Sequence, residues 1–114
     1  MAIKTTTIYS PNFDLKKRKK NNIKFLVFHY TGMKRENEAI KRLTQIQSEV
    51  GAHYYIKKNG EIIKMVPELY TAWHAGISQW GKYKSINKCS MVLKFQTQDI
   101  NLAMLTFLKN KLII

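Results

Sequence analysis

The chain carries one cysteine, Cys89, in 114 residues, which excludes an internal disulfide framework. Acidic side chains are also scarce: seven Asp and Glu stand against twenty Lys and Arg, a formal net charge of +13. That balance attracts polyanions such as nucleic acid, anionic lipid or acidic wall polymer. The lysines are scattered, however, and the simpler reading is a set of solvated lysine-rich faces. The one run, "KKRKK" (Lys16 to Lys20), reads as an exposed charged connection ahead of the first strand. No apolar run is long enough to cross a bilayer. The last stretch, "LAMLTFLKNKLII", is short and interrupted by lysine. The opening "MAIKTTTIYS" lacks the apolar centre of a signal peptide. The expectation is a soluble, cytoplasmic chain with no membrane partner. Repeats, low-complexity segments, a phosphate-cradling glycine loop and a serine elbow are also missing.

What is present suits one domain with a modest core, since 45% of the residues are hydrophobic. "SPNFD" (Ser10 to Asp14) is turn chemistry after a short edge strand. "IKFLVFHY" (Ile23 to Tyr30) reads as a buried strand, bounded by Asn-Asn before and Thr-Gly after. "ENEAIKRLTQIQ" (Glu36 to Gln47) reads as a helix, with Ile40, Leu43 and Ile46 near one face. Its early Glu36 and Glu38 complement the helix dipole. Asn59-Gly60 predicts a type I′ hairpin between strands at His53 to Lys58 and Glu61 to Val66. Pro67 to Ser90 has no period and reads as a long ordered surface loop. A strand, a helix and a hairpin in this order predict an α/β fold, a mixed central sheet with helix packed on it.

Three histidines, His29, His53 and His74, are the candidates for metal or proton chemistry. None pairs with another at the one-turn spacing of a local zinc motif. His53 alternates with Tyr54 along a strand, which favours a structural role. His74, in "AWHAG", either lines a pocket or belongs to a turn whose Trp73 plugs the core. Nothing marks Cys89 as an activated nucleophile.

Taken in order, "SPNFD", "HYTGM", "GAHYYIKKNGEIIKMV", "AWHAGISQWG" and "SINKCS" resemble the zinc-dependent N-acetylmuramoyl-L-alanine amidases of the phage-lysozyme and peptidoglycan-recognition type, over residues 10–90. The resemblance implies that family's mixed sheet with packed helices, here incomplete at the C-terminus. It implies hydrolysis of the amide between N-acetylmuramic acid and L-alanine. It also implies a zinc held by two histidines and an aspartate or cysteine, whose fourth position activates water. By this resemblance His29 is the first zinc ligand, Tyr30 and Thr31 support it, and Tyr30, Trp73 and His74 lie near a muropeptide substrate.

Beyond Ser90 the resemblance weakens. The family continues with a strand of the type "IGIEI", whose glutamate is a general base or transition-state stabiliser, then "NPGH", and later the remaining ligands. This chain reads "MVLKFQTQDINLAMLTFLKNKLII", with no histidine after His74 and no counterpart of the glutamate. Back-translated from the third base of the Ser90 codon, the same stretch permits "NGIEI", then "SNPGH" and "KFGY". The expectation is therefore a frameshift near codon 90, with residues 1–90 the N-terminal part of an amidase-like domain and residues 91–114 a divergent, truncated tail. The sheet would lose its central strand to unrelated sequence, and the last apolar stretch, helical by its leucine spacing, would be an aggregation liability. No catalytic residue is assigned. One ligand would hold zinc weakly, so the expected chain is an inactive amidase relative. The alternatives are a non-catalytic muropeptide-binding module and, behind it, a basic nucleic-acid binder, since aromatics alternate with lysines in "HYYIKK" and "WGKYK".

Overall fold

The computed structural model describes residues 4–31, 33–74, 79–80 and 83–96. Its elements run β1 (Thr5–Thr7), β2 (Phe25–Tyr30), α1 (Glu36–Thr44), β3 (Tyr54–Ile56), β4 (Ile62–Lys64), β5 (Gln79–Trp80), β6 (Tyr83–Lys84) and β7 (Ser90–Phe95). Five strands form one sheet in the order β1-β4-β3-β7-β2, and β5 and β6 make a separate two-stranded ribbon. Among the described residues, only the hairpin β3–β4 is antiparallel within the main sheet; β1 on β4, β3 on β7 and β7 on β2 are parallel. This is the mixed α/β architecture expected.

The strand expected to be missing is present at the sheet's centre. In β7, Met91, Val92 and Leu93 are fully buried, and both neighbours pair with the strand along its length. The physical reason lies in the sequence itself. "SMVLKFQ" alternates, with Met91, Leu93 and Phe95 on one face and Ser90, Val92, Lys94 and Gln96 on the other. The first set joins Ile23, Tyr54, Ile56 and Ile62 in one apolar cluster. Val92 joins the other cluster, with Ala39 and Leu43 of α1, Tyr55 and Ile63. The six residues therefore serve as a strand in the reading frame as it stands. The rest of the expected tail, residues 97–114, and its expected helix lie outside the described residues.

Several boundaries move for local reasons. β2 is the terminal strand among the described residues, not a buried one, and Phe28 and Tyr30 are exposed. α1 ends at Thr44, not Gln47. The Thr44 hydroxyl bonds back to the Ile40 carbonyl at 2.9 Å, and Gln45 is extended. Asn12 then takes the Gln45 carbonyl at 2.8 Å and the Val50 carbonyl at 2.7 Å through its amide nitrogen. Ile46 therefore leaves the helical face and is exposed. The buried Asn12 is what "SPNFD" contributes: it fastens the segment after α1 to the N-terminal turn. Gly51 packs so closely there that a Cβ would sit 2.7 Å from the Asn12 carbonyl oxygen.

The hairpin falls where Asn59-Gly60 placed it, but its turn differs. Gly60 alone has positive φ, at 92°, whereas a type I′ turn needs Asn59 there too. The Gly60 N–H bonds to the Lys57 carbonyl at 2.9 Å, and the Lys57 N–H to the Glu61 carbonyl at 2.8 Å. That is a three-residue loop closed by a left-handed glycine. Asn59 stabilises it by accepting the Glu61 N–H on its side chain at 2.9 Å.

Candidate functional site

His29 and His74 meet on the α1 side of the sheet. His29 leaves β2 on the same face as Val27, the face that packs towards α1. His74 follows Ala72, which bridges to Phe13. Their ring centroids lie 5.6 Å apart, edge to face. Nε2 of His29 and Nδ1 of His74 are buried, and neither has a hydrogen-bond partner among the described residues. Nε2 of His74 lies 2.8 Å from the Ser90 hydroxyl.

Lys94 completes this cluster. It pairs in register with His29 on one side and Tyr55 on the other, so all three side chains leave the same face. Burial lowers the Lys94 ammonium below the usual lysine range, and Arg42 of α1 adds to the effect. Burial, then the charge of Lys94, lowers His29. His74 falls to about 4, from burial first, then His29, Lys94 and Arg18. Both rings are neutral at neutral pH, in an electropositive surrounding.

His53 is a packed structural histidine, as its strand position suggested. It is fully buried. Its Nδ1 accepts the Val92 N–H at 3.0 Å, and Nε2–H donates to the Tyr70 carbonyl at 2.8 Å. Arg18 Nη2 lies 3.2 Å from that same Nε2, a contact between two donors that opposes protonation. Burial is the main cause of its pKa falling to about 3.

Arg18 is the residue that the reading of "KKRKK" as an exposed connection missed. The flanking lysines are exposed, but the guanidinium turns inward. It donates to the carbonyls of Glu68 at 3.0 Å, Asn87 at 3.1 Å and Lys88 at 3.2 Å. It thereby ties the loop after β4 to the 3-10 turn Ile86–Cys89, behind His74. The only sequence signal is its being an arginine among lysines, the fork suited to several carbonyls at once. Cys89 is buried in that turn, and burial pushes its thiol up, as befits an inert cysteine.

The other expected site residues are placed apart. Tyr30 alternates with His29 on β2, so its ring leaves the opposite face, 6.2 Å from Phe95. It borders a groove of about 340 Å³ at the sheet's end with Met33, Lys34, Glu36, Lys58 and Gln96. Gln96 organises that end, accepting from Tyr55 at 2.6 Å and Thr31 at 3.3 Å. Trp73 is half-buried beside His74, its indole N–H held by Asp14 at 2.7 Å. The segment after His74 lies outside the described residues.

Among the described residues, a mixed five-stranded sheet, a helix on its face and a histidine near the end of the terminal strand make up a fold of the peptidoglycan-amidase class. The model of the N-acetylmuramoyl-L-alanine amidase family matches residues 19–106, beyond Ser90 and through β7, and the chain belongs to that family. N-acetylmuramoyl-L-alanine amidase AmiD of Escherichia coli K12 is 32% identical over 83 residues, which is 67% of this chain and 29% of AmiD. The solved complex of AmiD from E. coli with the substrate anhydro-N-acetylmuramic acid-L-Ala-D-gamma-Glu-L-Lys superposes with a TM-score of 0.58 at 34% identity, covering 68% of this chain and 32% of that one. A crystal structure of an AmpD derivative has a TM-score of 0.66 at 22% identity, covering 89% of this chain and 65% of that one, and shows the shared fold. The chain thus spans less than a third of the AmiD it matches.

Members of this family generally use zinc. Among the described residues no three of His, Cys, Asp or Glu gather as a metal would require. His29 and His74 offer two bare nitrogens, but the next group on that face is the Lys94 ammonium. The residues described do not fit a three-ligand zinc centre. Among the described residues, no helix is long and apolar enough to cross a membrane.

Proposed function

We propose that this chain is a muropeptide-recognising member of the amidase family that binds its ligand without cutting it. Family membership supports the ligand class: AmiD is seen bound to an anhydromuramyl peptide. The observation that carries the second half is Lys94 in register with His29. An ammonium there repels a divalent cation at the first expected zinc ligand, and it supplies no carboxylate to take a proton from water. The family reaction, zinc-assisted hydrolysis of the amide between N-acetylmuramic acid and L-alanine, is thus proposed for the lineage and not for this chain acting alone. The Tyr30 groove and the Trp73–His74 segment are the proposed contact surfaces.

The test is a fluorescence titration of the purified chain with an anhydromuramyl tripeptide, read through its tryptophans. Saturable quenching that Trp73→Phe diminishes is expected. A flat titration with folded protein would remove the reading. Saturable binding of single-stranded nucleic acid that survives moderate salt would instead favour a nucleic-acid binder, because exposed lysines alone give only salt-labile affinity.

A further inference from the structure

The two most exposed large apolar side chains among the described residues sit beside the lysine run. Leu15 is 88% exposed and Tyr9 74%. Both border an open cleft of about 570 Å³, whose other apolar walls are Pro11, Phe13, Pro67 and Tyr70. Leu15 is held outward by backbone on both sides. The Asp14 N–H bonds to the Thr71 carbonyl at 2.9 Å, and the Arg18 N–H to the Leu69 carbonyl at 2.8 Å. Four exposed lysines follow directly, Lys16, Lys17, Lys19 and Lys20. Two more exposed lysines join from other segments. Arg18 holds the Lys88 carbonyl at 3.2 Å, and the Lys24 N–H bonds to the Cys89 carbonyl at 2.7 Å. The carboxylates beside this face are engaged elsewhere: Asp14 accepts the Trp73 indole N–H at 2.7 Å, and Glu68 the Tyr54 hydroxyl at 2.6 Å.

We propose that this face is a peripheral docking surface for an anionic lipid bilayer. Leu15 and Tyr9 enter the boundary between headgroups and acyl chains, and the lysines meet the headgroup phosphates. Leu15 decides among the polyanions that lysines attract. A soluble phosphate polymer has nothing apolar to offer a leucine that stands clear of the protein. Single-stranded nucleic acid needs free rings to stack on, but Phe13 and Tyr70 pack on each other, edge to face at 5.3 Å, and leave Tyr9. A bilayer offers both layers at once, charge at its surface and hydrocarbon beneath. Lysine stems lie along that boundary while their ammonium groups stay in water. Surface contact needs no spanning helix, so it replaces the expectation of no membrane partner without any segment that crosses. It shares no residue with the Tyr30 groove or the Trp73–His74 segment, and it does not rest on the function proposed above.

The experiment is co-sedimentation of the full chain with vesicles of mixed phosphatidylcholine and phosphatidylglycerol, against phosphatidylcholine alone. Binding to the mixed vesicles only is expected. Leu15→Ser should weaken it about tenfold, as the loss of a partly inserted leucine. Lys16→Gln with Lys17→Gln should weaken it about thirtyfold, at about fivefold for each lysine. All three positions are exposed, and thermal melts confirm that each variant is folded. No binding to the mixed vesicles overturns the proposal. Binding that the lysine pair controls and Leu15→Ser leaves unchanged overturns the bilayer as partner, because charge alone then carries it. A single-stranded oligonucleotide that displaces the chain from the vesicles, with an affinity that Leu15→Ser does not alter, also overturns it and points to nucleic acid.

Discussion

Lys94 and His29 are register partners in the parallel pairing of β7 with β2. Their side chains rise from the same face of the sheet, with the His74 ring against that of His29. A strand-end imidazole that resembles a zinc ligand therefore has a cation for its neighbour.

Replacing Lys94 by Met should raise the pKa of both His29 and His74, because the lysine charge is among the causes that lower each. Burial is the larger cause in both rings, so neither should regain the ordinary value. NMR titration of the histidine ring protons checks this. An unchanged pair would mean that the lysine charge points away from the cluster.

Leu93→Ala should destabilise the chain by about 2–5 kcal/mol, the usual cost of emptying a buried leucine site. Leu93 is fully buried in the central strand. Urea denaturation measures it. A neutral substitution would mean that the residues after Ser90 are foreign to the core.

Within "KKRKK", Arg18→Met should cost about 2–3 kcal/mol, since three carbonyls lose a charged donor. Lys16→Ala and Lys20→Ala should fall within about 0.5 kcal/mol of wild type, as exposed positions do. Parallel thermal melts of the three variants decide whether the run acts as a patch or through its one arginine.

Stability should fall as the pH drops below about 6.5. His53 is held neutral in the fold, with a pKa of about 3, while the unfolded chain's histidine takes up a proton near 6.5. His74, at about 4, acts in the same direction. The unfolded state binds the extra protons, so each depressed histidine costs about 1.4 kcal/mol per pH unit inside its window. Denaturation midpoints between pH 7 and pH 4 test this, and His53→Phe should flatten the slope.

The sequence showed what local chemistry determines. His29 lies near the end of a strand that the apolar run from Phe25 to Phe28 specifies. The hairpin falls at Asn59-Gly60 because only a left-handed residue closes it, although the loop is one residue longer than the two-residue type. β7 is specified by the alternation of Met91, Leu93 and Phe95 with Val92 and Lys94, a period that does not depend on the family's glutamate. Arg18 and Asn12 were illegible for another reason. Each acts through carbonyls far along the chain, Arg18 on Asn87 and Lys88 and Asn12 on Gln45 and Val50, and no sequence spacing records such contacts. The family resemblance implies that Tyr30 supports His29, whereas the two-residue period of a strand sends their side chains to opposite faces.

The most direct test incubates the purified chain with an anhydromuramyl tripeptide and stoichiometric zinc, following binding by tryptophan fluorescence and cleavage by mass spectrometry in one sample. The account predicts saturable binding with the tripeptide recovered intact. Release of free peptide at a rate that scales with the chain's concentration would contradict it, and would show that Lys94 beside His29 does not keep this member of the family from catalysis.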